Sequence, residues 1–358
     1  MRTVRVATDP AYEVRIGRGM LREVARSTST YSARAVITDD RVAELHLAGL
    51  EGLGAPVMAV PAGESSKRFA TLERVLEFLA ASDLDRASCV VALGGGVVGD
   101  LAGMAASLYM RGIAVVQVPT TLLAQVDASV GGKTAVDLAT GKNLAGTFHQ
   151  PAAVLADTAT LATLPEVEYA SGLGEVLKSA LIEGETALAG LEERLEAIRG
   201  RDPDVLAEVV ERCVRLKAGI VERDPRERGE RKRLNLGHTF AHAIEQAAGY
   251  GTVPHGVAVG VGVALALRTS RAIGLLADPE LPDRTDRLLR ALGMPHDLET
   301  LCGAFRVRFS AEEILAAMRH DKKGAAGRPR LVLPRAPGEI EIDVEVEERR
   351  LGSVLETA

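Results

Sequence analysis

The chain has 358 residues, of which 47% are hydrophobic and 26% are charged, and its formal net charge is −6. A chain of this length can bury a full hydrophobic core and is expected to form two domains. With no tryptophan, 3% aromatic residues and no basic surplus, the composition argues against nucleic-acid binding, because phosphates attract cations and bases stack on rings.

The N-terminus MRTVRVATDPAYEVRIG alternates apolar and polar residues like an edge strand and lacks the cationic and apolar segments of a secretion signal. The longest nearly continuous apolar run, residues 257–267, is about half of the roughly 20 residues that span a bilayer. It predicts a buried helix and no membrane association. Cys89, Cys213 and Cys302 are odd in number and far apart, which favours a reducing cytoplasm over a disulfide framework.

The first part of the chain alternates short β-prone runs with amphipathic stretches. Residues 71–80 and 101–109 have helical periodicity, and the β-prone runs are residues 35–38, 57–60, 89–93, 114–118 and 153–155. This alternation is typical of parallel strands joined by helical crossovers. It predicts an α/β domain over residues 1–164 with a doubly wound, mainly parallel sheet.

From residue 165 the pattern changes to long helical periods. They cover residues 170–182, 185–198, 203–221, 239–248, 256–273 and 311–318, and a strand-like pair follows at residues 330–333 and 339–344. We therefore predict a second, mostly α-helical domain over residues 165–358.

The heptapeptide GGGVVGD, residues 94–100, follows a predicted strand and precedes a predicted helix. It satisfies G-x-G-x-x-G, in which glycines let the backbone approach a pyrophosphate at a helix N-terminus. The motif does not open the first strand–helix unit, however, and VPTTLL stands where a ribose-binding acid is expected. A tight turn packed under a helix is the alternative. Asp39, after a predicted strand, can hold a ribose or cap a helix.

The stretch GERKRLNLGHTFAHAIEQ places His238 and His242 one helical turn apart, so both side chains lie on one face. His255 follows at a turn, and Glu175 lies in SGLGEVLKSAL, where an isolated carboxylate is costly to bury. One carboxylate with two or three imidazoles suits a divalent ion that keeps an open coordination position. The spacing also allows the alternative that each histidine is a hydrogen-bonded core residue.

Several lysines stand in unusual surroundings. Lys133, Lys142 and Lys178 lie among glycines or apolar residues, and lysine is rarely buried without a partner. The charge run over residues 222–233 is by default a solvated loop, but its last arginines lead directly into NLGH. These cations, a candidate metal site and a dinucleotide-type loop together suggest a phosphorylated, polyhydroxylated substrate that a nicotinamide oxidises.

Six motifs closely resemble, in order and spacing, those of the 3-dehydroquinate synthase family. They are GGGVVGDLAGMAASLYMRG, VPTTLLAQVDASVGGKTAVDLATGKNLAGTFHQP, SGLGEVLKSALI, RLNLGHTFAHAIE, HGVAVGVG and HDKKG. The resemblance runs from about residue 35 to residue 335. It implies an NAD-binding α/β domain, a mostly helical metal-binding domain, an active site in the cleft between them, and a homodimer.

The resemblance also implies roles for particular residues. Glu175, His238 and His255 would bind the metal, most often zinc or cobalt, and His242 would accept a proton. NAD contacts would come from Asp39, Glu64, Lys67, Gly95, Gly96, Val97, Val98, Gly99, Asp100, Thr120, Thr121, Lys133, Lys142, Thr160 and Thr163. Substrate contacts would come from Asp127, Lys133, Asn143, Lys178, Lys217, Arg231, Asn235 and one of Lys322 and Lys323, and Arg111 would reach the phosphate of the neighbouring subunit's substrate.

The family reaction converts 3-deoxy-D-arabino-heptulosonate 7-phosphate to 3-dehydroquinate and phosphate, in the shikimate pathway. It combines transient oxidation by NAD, phosphate elimination, reduction, ring opening and aldol closure, so the resemblance implies a carbon–oxygen lyase. The sequence departs from the family pattern at Val167, where an arginine is usual, at Gly174, where alanine is common, and at Val257, where glutamate is frequent.

Three alternatives stay open. Another sugar-phosphate cyclase, of the 2-deoxy-scyllo-inosose or 2-epi-5-epi-valiolone synthase type, would share the fold, NAD and the metal, but Arg231, Asn235 and His242 favour dehydroquinate synthase. A metal-dependent polyol dehydrogenase would release NADH stoichiometrically. A non-catalytic relative is disfavoured, because a cleft lined with unpaired charges is costly and has no purely structural use.

Overall fold

The computed structural model describes residues 1–320 and 330–357. The chain divides into two compact units, which are described separately. The first unit contains Met1–Pro165 and Arg201–Pro225, and the second contains Glu166–Gly200 and Arg226–Ala358.

A seven-stranded sheet forms the centre of the first unit. Its strands are β1 (Arg2–Val6), β2 (Tyr12–Gly17), β3 (Arg34–Asp39), β4 (Val57–Val60), β5 (Cys89–Gly94), β6 (Ala114–Pro119) and β9 (Ala153–Asp157), and β7 (Lys133–Leu138) and β8 (Gly141–Phe148) form a separate hairpin. The order in the sheet is β1-β2-β9-β6-β5-β3-β4. The strands from β2 to β4 in this order run parallel, and β1 pairs antiparallel with β2 at the edge.

Helices make up much of both units. The first unit contains α1 (Val24–Ser27), α2 (Asp40–His46), α3 (Phe69–Ala81), α4 (Gly96–Leu108) and α8 (Pro203–Arg223), and the second contains α5 (Glu166–Glu183), α6 (Glu185–Glu193), α7 (Leu195–Arg199), α9 (His238–Ala248), α10 (His255–Ala272), α11 (Leu281–Ala291), α12 (Leu298–Phe305), α13 (Ala311–His320) and α14 (Glu348–Glu356). An antiparallel pair, β10 (Arg330–Ala336) and β11 (Glu339–Glu345), completes the second unit. The predicted combination of a mainly parallel α/β unit and a mostly helical unit is confirmed.

Both faces of the large sheet are covered, as a doubly wound fold requires. Successive residues of a strand point to opposite faces. Val90 and Ala92 of β5 therefore join the cluster that contains the buried residues of α3 and α4, whereas Val91 and Leu93 join the cluster that contains those of α1 and α2. The sheet is thus buried on both sides, and its functional groups emerge at the strand ends.

Helix α10 is the central helix of the second unit. Its residues from Gly256 to Leu267 are all buried, which confirms the buried helix predicted over residues 257–267. Among the described residues, no helix combines the length and the apolar character that crossing a bilayer requires. Cys89, Cys213 and Cys302 are free cysteines, of which Cys89 and Cys213 are buried.

Helices α5 and α10 cross at glycines. A Cβ atom on Gly174 would lie 1.8 Å from the carbonyl oxygen of Gly256, and a Cβ atom on Gly256 would lie 1.7 Å from that of Ser171. Side chains do not approach the backbone this closely, so the observed spacing requires glycine at both positions. The departure at Gly174 therefore has a packing reason. Glu175 and His255 are the chain neighbours of these glycines, so the crossing also sets the distance between their side chains.

Replacing Gly256 with alanine is expected to destabilise the protein by about 1–3 kcal/mol, because the methyl group would overlap the backbone of α5. Thermal denaturation followed by circular dichroism measures the change. Gly303→Ala is the matched control, since Gly303 lies in α12 with open space where its Cβ atom would stand. That variant should be neutral or slightly more stable. Equal melting temperatures for the two variants would contradict the account of the crossing.

The segment Arg201–Pro225 lies in a different unit from the predicted one, since the sequence analysis placed it in the domain of residues 165–358. It belongs to the first unit, because α8 packs on β1 and β2 through an apolar face that includes Leu206, Val210 and Val214. Helical periodicity reveals such a face but not the element that covers it.

Three local elements also differ from the predictions. The hairpin of β7 and β8 was not predicted, because β8 lacks alternation and leaves Leu144 and Phe148 exposed. Helix α4 begins at Gly96, five residues before the predicted start at residue 101, because glycine and valine are weak helix signals. The predicted helix over residues 185–198 is broken at Arg194 into α6 and α7.

Candidate active site

The structure brings Glu175, His238 and His255 together in the second unit. Glu175 Oε1 lies 3.6 Å from His238 Nε2 and 3.8 Å from His255 Nε2. One possible ligand atom from each of the three residues lies within 4.8 Å of the others. Ligands held tetrahedrally by a zinc ion at about 2.1 Å are roughly 3.4 Å apart. The cluster therefore has the dimensions of a divalent metal site.

Glu175 supplies the test of whether an ion fits. Its side chain is 1% exposed, and within the described part of the chain Oε1 has no hydrogen-bond partner. Oε2 lies 2.5 Å from Nζ of Lys178, which is buried on the same helix. Lys178 thus pairs with Oε2 of the carboxylate, whereas Oε1 faces the imidazoles of His238 and His255. A buried oxygen without a donor is costly, and a cation between these three side chains would satisfy it.

Helix ends position the two histidines. His238 is the first residue of α9 and follows Gly237, which has a φ of 79°. A Cβ atom on Gly237 would lie 2.7 Å from the backbone nitrogen of Val263, so a larger residue would push α9 away from α10. His255 is the first residue of α10.

Both imidazoles direct the same nitrogen toward Glu175. His238 Nδ1 lies 3.3 Å from the carbonyl oxygen of Leu236, and His255 Nδ1 lies 3.0 Å from Oε2 of Glu245. Nε2 is the nitrogen of each ring that lies within 4 Å of Glu175, at 3.6 Å for His238 and 3.8 Å for His255. Burial alone would lower the pKa of His255, but the hydrogen bond and charge of Glu245, with the charge of Glu175, raise it.

His242 lies beside the Glu175 cluster but outside it. Its ring centre is 5.7 Å from that of His238 and 6.0 Å from that of His255. His242 groups instead with Glu245 and His255. Its imidazole is therefore close to the candidate metal position without being one of the three residues that define it.

In the first unit, most of the residues predicted to contact NAD lie at or just after the carboxyl ends of five parallel strands that are neighbours in the sheet, whereas Lys133 and Lys142 lie on the hairpin of β7 and β8. The five strands are β4 (followed by Glu64 and Lys67), β3 (ending at Asp39), β5 (leading into residues 94–100), β6 (followed by Thr120 and Thr121) and β9 (followed by Thr160 and Thr163). The chain places β4 on one side of β3 and β5 on the other, so the strand order reverses there. Ligands of open α/β sheets bind at such a switch point.

The geometry of the glycine loop is compatible with both interpretations of its sequence, a pyrophosphate site and a tight turn packed under a helix. Helix α4 begins at Gly96, and Gly95, the residue before it, offers no side chain to cap the first backbone N–H groups. An uncapped helix N-terminus fits a pyrophosphate. Packing also requires glycine here, because a Cβ atom on Gly94 would lie 2.6 Å from Val98 and one on Gly99 would lie 2.8 Å from Gln117. Val98 is buried, so its side chain packs inside the unit and does not face a ligand.

The sequence matches two family models. One is described as 3-dehydroquinate synthase N-terminal and matches residues 57–171, and the other is described as 3-dehydroquinate synthase C-terminal and matches residues 172–324. The chain belongs to the 3-dehydroquinate synthase family.

Similar proteins agree with membership of the 3-dehydroquinate synthase family. The curated 3-dehydroquinate synthase of Xylella fastidiosa is 45% identical in an alignment of 370 positions that covers 99% of this chain and 98% of that protein. That of Cereibacter sphaeroides is 44% identical in an alignment of 361 positions that covers 97% and 95% respectively. The chain is therefore an enzyme of this family.

Two solved structures are close to this fold. A 2-deoxy-scyllo-inosose synthase complexed with carbaglucose-6-phosphate, NAD+ and Co2+ has a TM-score of 0.84 and 25% identity, covering 99% of this chain and 100% of its own. A 2-epi-5-epi-valiolone synthase from Streptomyces hygroscopicus with NAD+ and Zn2+ bound has a TM-score of 0.83 and 30% identity, covering 97% and 96%.

Lys67 is the centre of a charged cluster in the first unit. Its side chain is 5% exposed, its Nζ lies 2.6 Å from Asp100 Oδ2, and it donates a hydrogen bond to Oδ1 of Asn143. Burial alone would lower the pKa of Lys67, but the charges of Asp100 and Glu64 outweigh burial and raise it. Burial raises the pKa of Asp100 and of Glu64, and Lys67 offsets this only in part. Lys67 therefore stays protonated and ties two residues predicted for NAD to one predicted for substrate.

A second ion pair joins two residues predicted to contact substrate in the 3-dehydroquinate synthase family. Nζ of Lys217 lies 2.8 Å from Oδ1 of Asp127 and donates to the carbonyl oxygen of the same residue, also at 2.8 Å. Both residues belong to the first unit, because α8 carries Lys217. The packing of α8 in the first unit therefore also positions Lys217 beside Asp127.

The charge run leading to His238 is not simply a solvated loop. Arg231 is 1% exposed, so this arginine is directed inward. Nδ2 of Asn235 donates a hydrogen bond of 2.6 Å to Oε1 of Glu227, a residue with a φ of 56°. Glu227 was not singled out in the sequence, where it stands among other charges.

Two lysine positions differ from the sequence argument. Lys178 is buried, but Lys133 is exposed and Lys142 is partly exposed. The reason is that both belong to the hairpin of β7 and β8, which the sequence analysis did not predict. Their family roles stay predictions.

Several other predicted residues already have protein partners. Asp39 caps α2 by accepting from the backbone nitrogen of Val42 at 2.8 Å, and burial raises its pKa. Thr160 donates to the carbonyl oxygen of Asp157, and Thr163 lies 3.0 Å from Nε2 of His46. These contacts leave a role in binding NAD open to test. Lys322 and Lys323 lie outside the described residues.

Proposed function

We propose that the chain carries out its family's reaction, converting 3-deoxy-D-arabino-heptulosonate 7-phosphate to 3-dehydroquinate and phosphate. The observation that carries the proposal is the convergence of Glu175 Oε1 with Nε2 of His238 and His255. This convergence occurs in a chain 45% identical to a curated 3-dehydroquinate synthase. Because phosphate is eliminated and NAD is regenerated, the reaction is that of a carbon–oxygen lyase. The free cysteines support a cytoplasmic location.

The proposed metal ligands are Glu175, His238 and His255, and the proposed ion is zinc or cobalt. The buried Oε1 of Glu175, which has no hydrogen-bond partner among residues 1–320 and 330–357, supports this, as do the similar folds with Co2+ or Zn2+. When bound, the ion would acidify a substrate hydroxyl. Lys178 would fix the orientation of Glu175, since its Nζ holds the carboxylate oxygen opposite the proposed ion.

The proposed NAD site lies along the carboxyl ends of β4, β3, β5, β6 and β9. The uncapped N-terminus of α4 would hold the pyrophosphate, and Asp39 would hold the adenosine ribose. Glu64, Lys67 and Asp100 would contact the rest of the NAD molecule. In this cluster the charge of Lys67 offsets part of the charge of the two carboxylates. When bound, NAD would take up a hydride and later return it.

His242 is the proposed proton acceptor. Its ring lies within 6.0 Å of both histidine ligands, measured between ring centres, and it is not part of the Glu175 cluster. A neutral imidazole in this place can accept the proton of a substrate hydroxyl while the carbon that carries the hydroxyl is oxidised.

The remaining residues would hold the substrate. Lys133, Asn143 and Arg231 would bind the phosphate group, which would use its own oxygen as the base for its elimination. Asp127, Lys178, Lys217, Asn235 and one of Lys322 and Lys323 would hold its other polar groups. Orientation of this kind lowers the barrier of the elimination and of the ring closure.

A phosphate-release assay tests the proposed function. Purified enzyme with NAD and a divalent ion should free phosphate from the heptulosonate phosphate, with no lasting absorbance of NADH. D-Glucose 6-phosphate, which lacks the carboxylate, should not react. Lasting NADH without free phosphate would favour a polyol dehydrogenase. Turnover of glucose 6-phosphate would favour another sugar-phosphate cyclase.

We also propose that the chain is a homodimer in which Arg111 reaches the substrate phosphate of the neighbouring subunit. Arg111 and Met110 have φ values of 72° and 49°, and Leu108 and Met110 are exposed apolar side chains beside the arginine. This local geometry presents Arg111 next to an apolar surface, as a subunit contact requires.

Subunit mixing tests the shared site. Arg111→Ala and His242→Ala should each be inactive, but mixed dimers would contain one site with neither change. Mixing the two after dissociation should therefore restore roughly a quarter of the wild-type activity. Lys133→Ala mixed with His242→Ala is the control and should restore none. Failure of both mixtures, with subunit exchange verified, would contradict the role of Arg111.

A further inference from the structure

Glu245 is a buried carboxylate to which the proposed reaction gives no role. It is 2% exposed and lies on α9, on the same face as His238 and His242. Its Oε2 lies 3.0 Å from Nδ1 of His255, whereas Nε2 of the same ring lies 3.8 Å from Oε1 of Glu175. One imidazole therefore connects Glu245 to the proposed metal ligand Glu175.

We propose that Glu245 is a positioning residue that prepares His255 to bind the metal, an inference that rests on the proposed metal site. By accepting the Nδ1–H hydrogen bond, Glu245 would keep the proton on Nδ1 and leave the lone pair of Nε2 for the ion. It would also fix the rotation of the ring and increase its strength as a ligand.

The arrangement around His238 supports this reading. Its Nδ1 also faces an oxygen, the carbonyl of Leu236 at 3.3 Å, and its Nε2 also faces Glu175. In both rings, Nδ1 therefore faces an oxygen of the protein, and Nε2 faces Oε1 of Glu175. The partner of His238 is backbone, which the fold itself fixes, whereas the partner of His255 is a side chain that substitution can remove.

The alternative is a structural role, in which Glu245 merely joins α9 to the beginning of α10. The two roles differ in their consequences. A structural contact affects the stability of the metal-free protein and leaves the affinity of folded protein for metal unchanged. A positioning contact changes that affinity, and saturating metal restores the turnover number.

The experiment titrates Co2+ into chelator-treated full-length protein, by calorimetry and by the visible absorption of the bound ion. Glu245→Ala should raise the Kd about 10–100-fold. Glu245→Gln, which keeps an acceptor but no charge, should raise it less. Gln246→Ala, on the exposed neighbour in α9, is the control and should bind as the wild type does. Activity at saturating Co2+ should return toward the wild-type value in both Glu245 variants.

Three results decide the matter. If the wild type and Gln246→Ala bind Co2+, His255→Ala does not, and both Glu245 variants bind as tightly as the wild type, the inference about Glu245 is wrong while the metal site stands. If the wild type itself does not bind, the proposed metal site is wrong and the inference fails with it. If Glu245→Ala does not fold, the Kd and the spectrum of Glu245→Gln decide between the two roles.

Discussion

Replacing His238 with alanine is expected to remove both the metal and the activity, whereas replacing His242 with alanine should leave the metal bound and stop turnover. The two residues are one turn apart on α9, but Nε2 of His238 lies 3.6 Å from Glu175 Oε1, and His242 is outside that cluster. Loss of a general base typically lowers the rate 10²–10⁴-fold, so we expect about that loss in kcat for His242→Ala.

Metal content of the purified proteins, measured by mass spectrometry, separates the two effects. Wild type and His242→Ala should contain similar amounts of zinc or cobalt, and His238→Ala should contain little. The two variants control for each other, because both remove an imidazole from the same helix. Equal metal loss in both would show that the roles of the two histidines are wrongly assigned.

Replacing Lys67 with methionine should weaken NAD binding and destabilise the first unit. The change removes a cation that is 5% exposed and lies 2.6 Å from Asp100 and 3.9 Å from Glu64, and it leaves these two partly buried carboxylates without their counter-charge. Removing one member of a buried ion pair costs about 3–5 kcal/mol. The melting temperature should fall clearly, and the Kd for NAD, measured by calorimetry, should rise at least about tenfold if 1.4 kcal/mol of that loss reaches the binding site.

Lys232→Met is the matched control for this substitution. Lys232 also forms an ion pair, with Asp343 at 2.7 Å, but both side chains are more than a third exposed, Lys232 at 35% and Asp343 at 42%. Exposed pairs contribute about 0–1 kcal/mol, so this variant should resemble the wild type in stability and in NAD affinity. A Lys67→Met protein that behaves like Lys232→Met would argue against the Lys67 cluster as part of the NAD site.

Much of the fold could be predicted because its signals are local. The runs at residues 35–38, 57–60, 89–93, 114–118 and 153–155 all lie within observed strands, since a strand buried on both faces is a short apolar run. The partner of α8 could not be predicted in this way. Its amphipathic face is visible in the sequence, but packing on β1 and β2 joins segments some 200 residues apart.

The candidate site shows the same division between local and distant information. The spacing of His238 and His242 follows from one helix, whereas the approach of Glu175 depends on the glycine crossing of α5 and α10, which only the structure reveals. Glu245 left a usable signal, because it is a carboxylate in an apolar stretch on the face that carries both histidines. The exposure of Lys133 could not be foreseen, since it depends on a hairpin with weak strand signals.

The most direct test of the central claim is diffraction from crystals of the protein grown with Co2+, with data collected on both sides of the cobalt absorption edge. An anomalous peak should lie within about 2.0–2.2 Å of Glu175 Oε1, His238 Nε2 and His255 Nε2. A peak held by other residues, or none at these three side chains in protein that releases phosphate, would contradict the account.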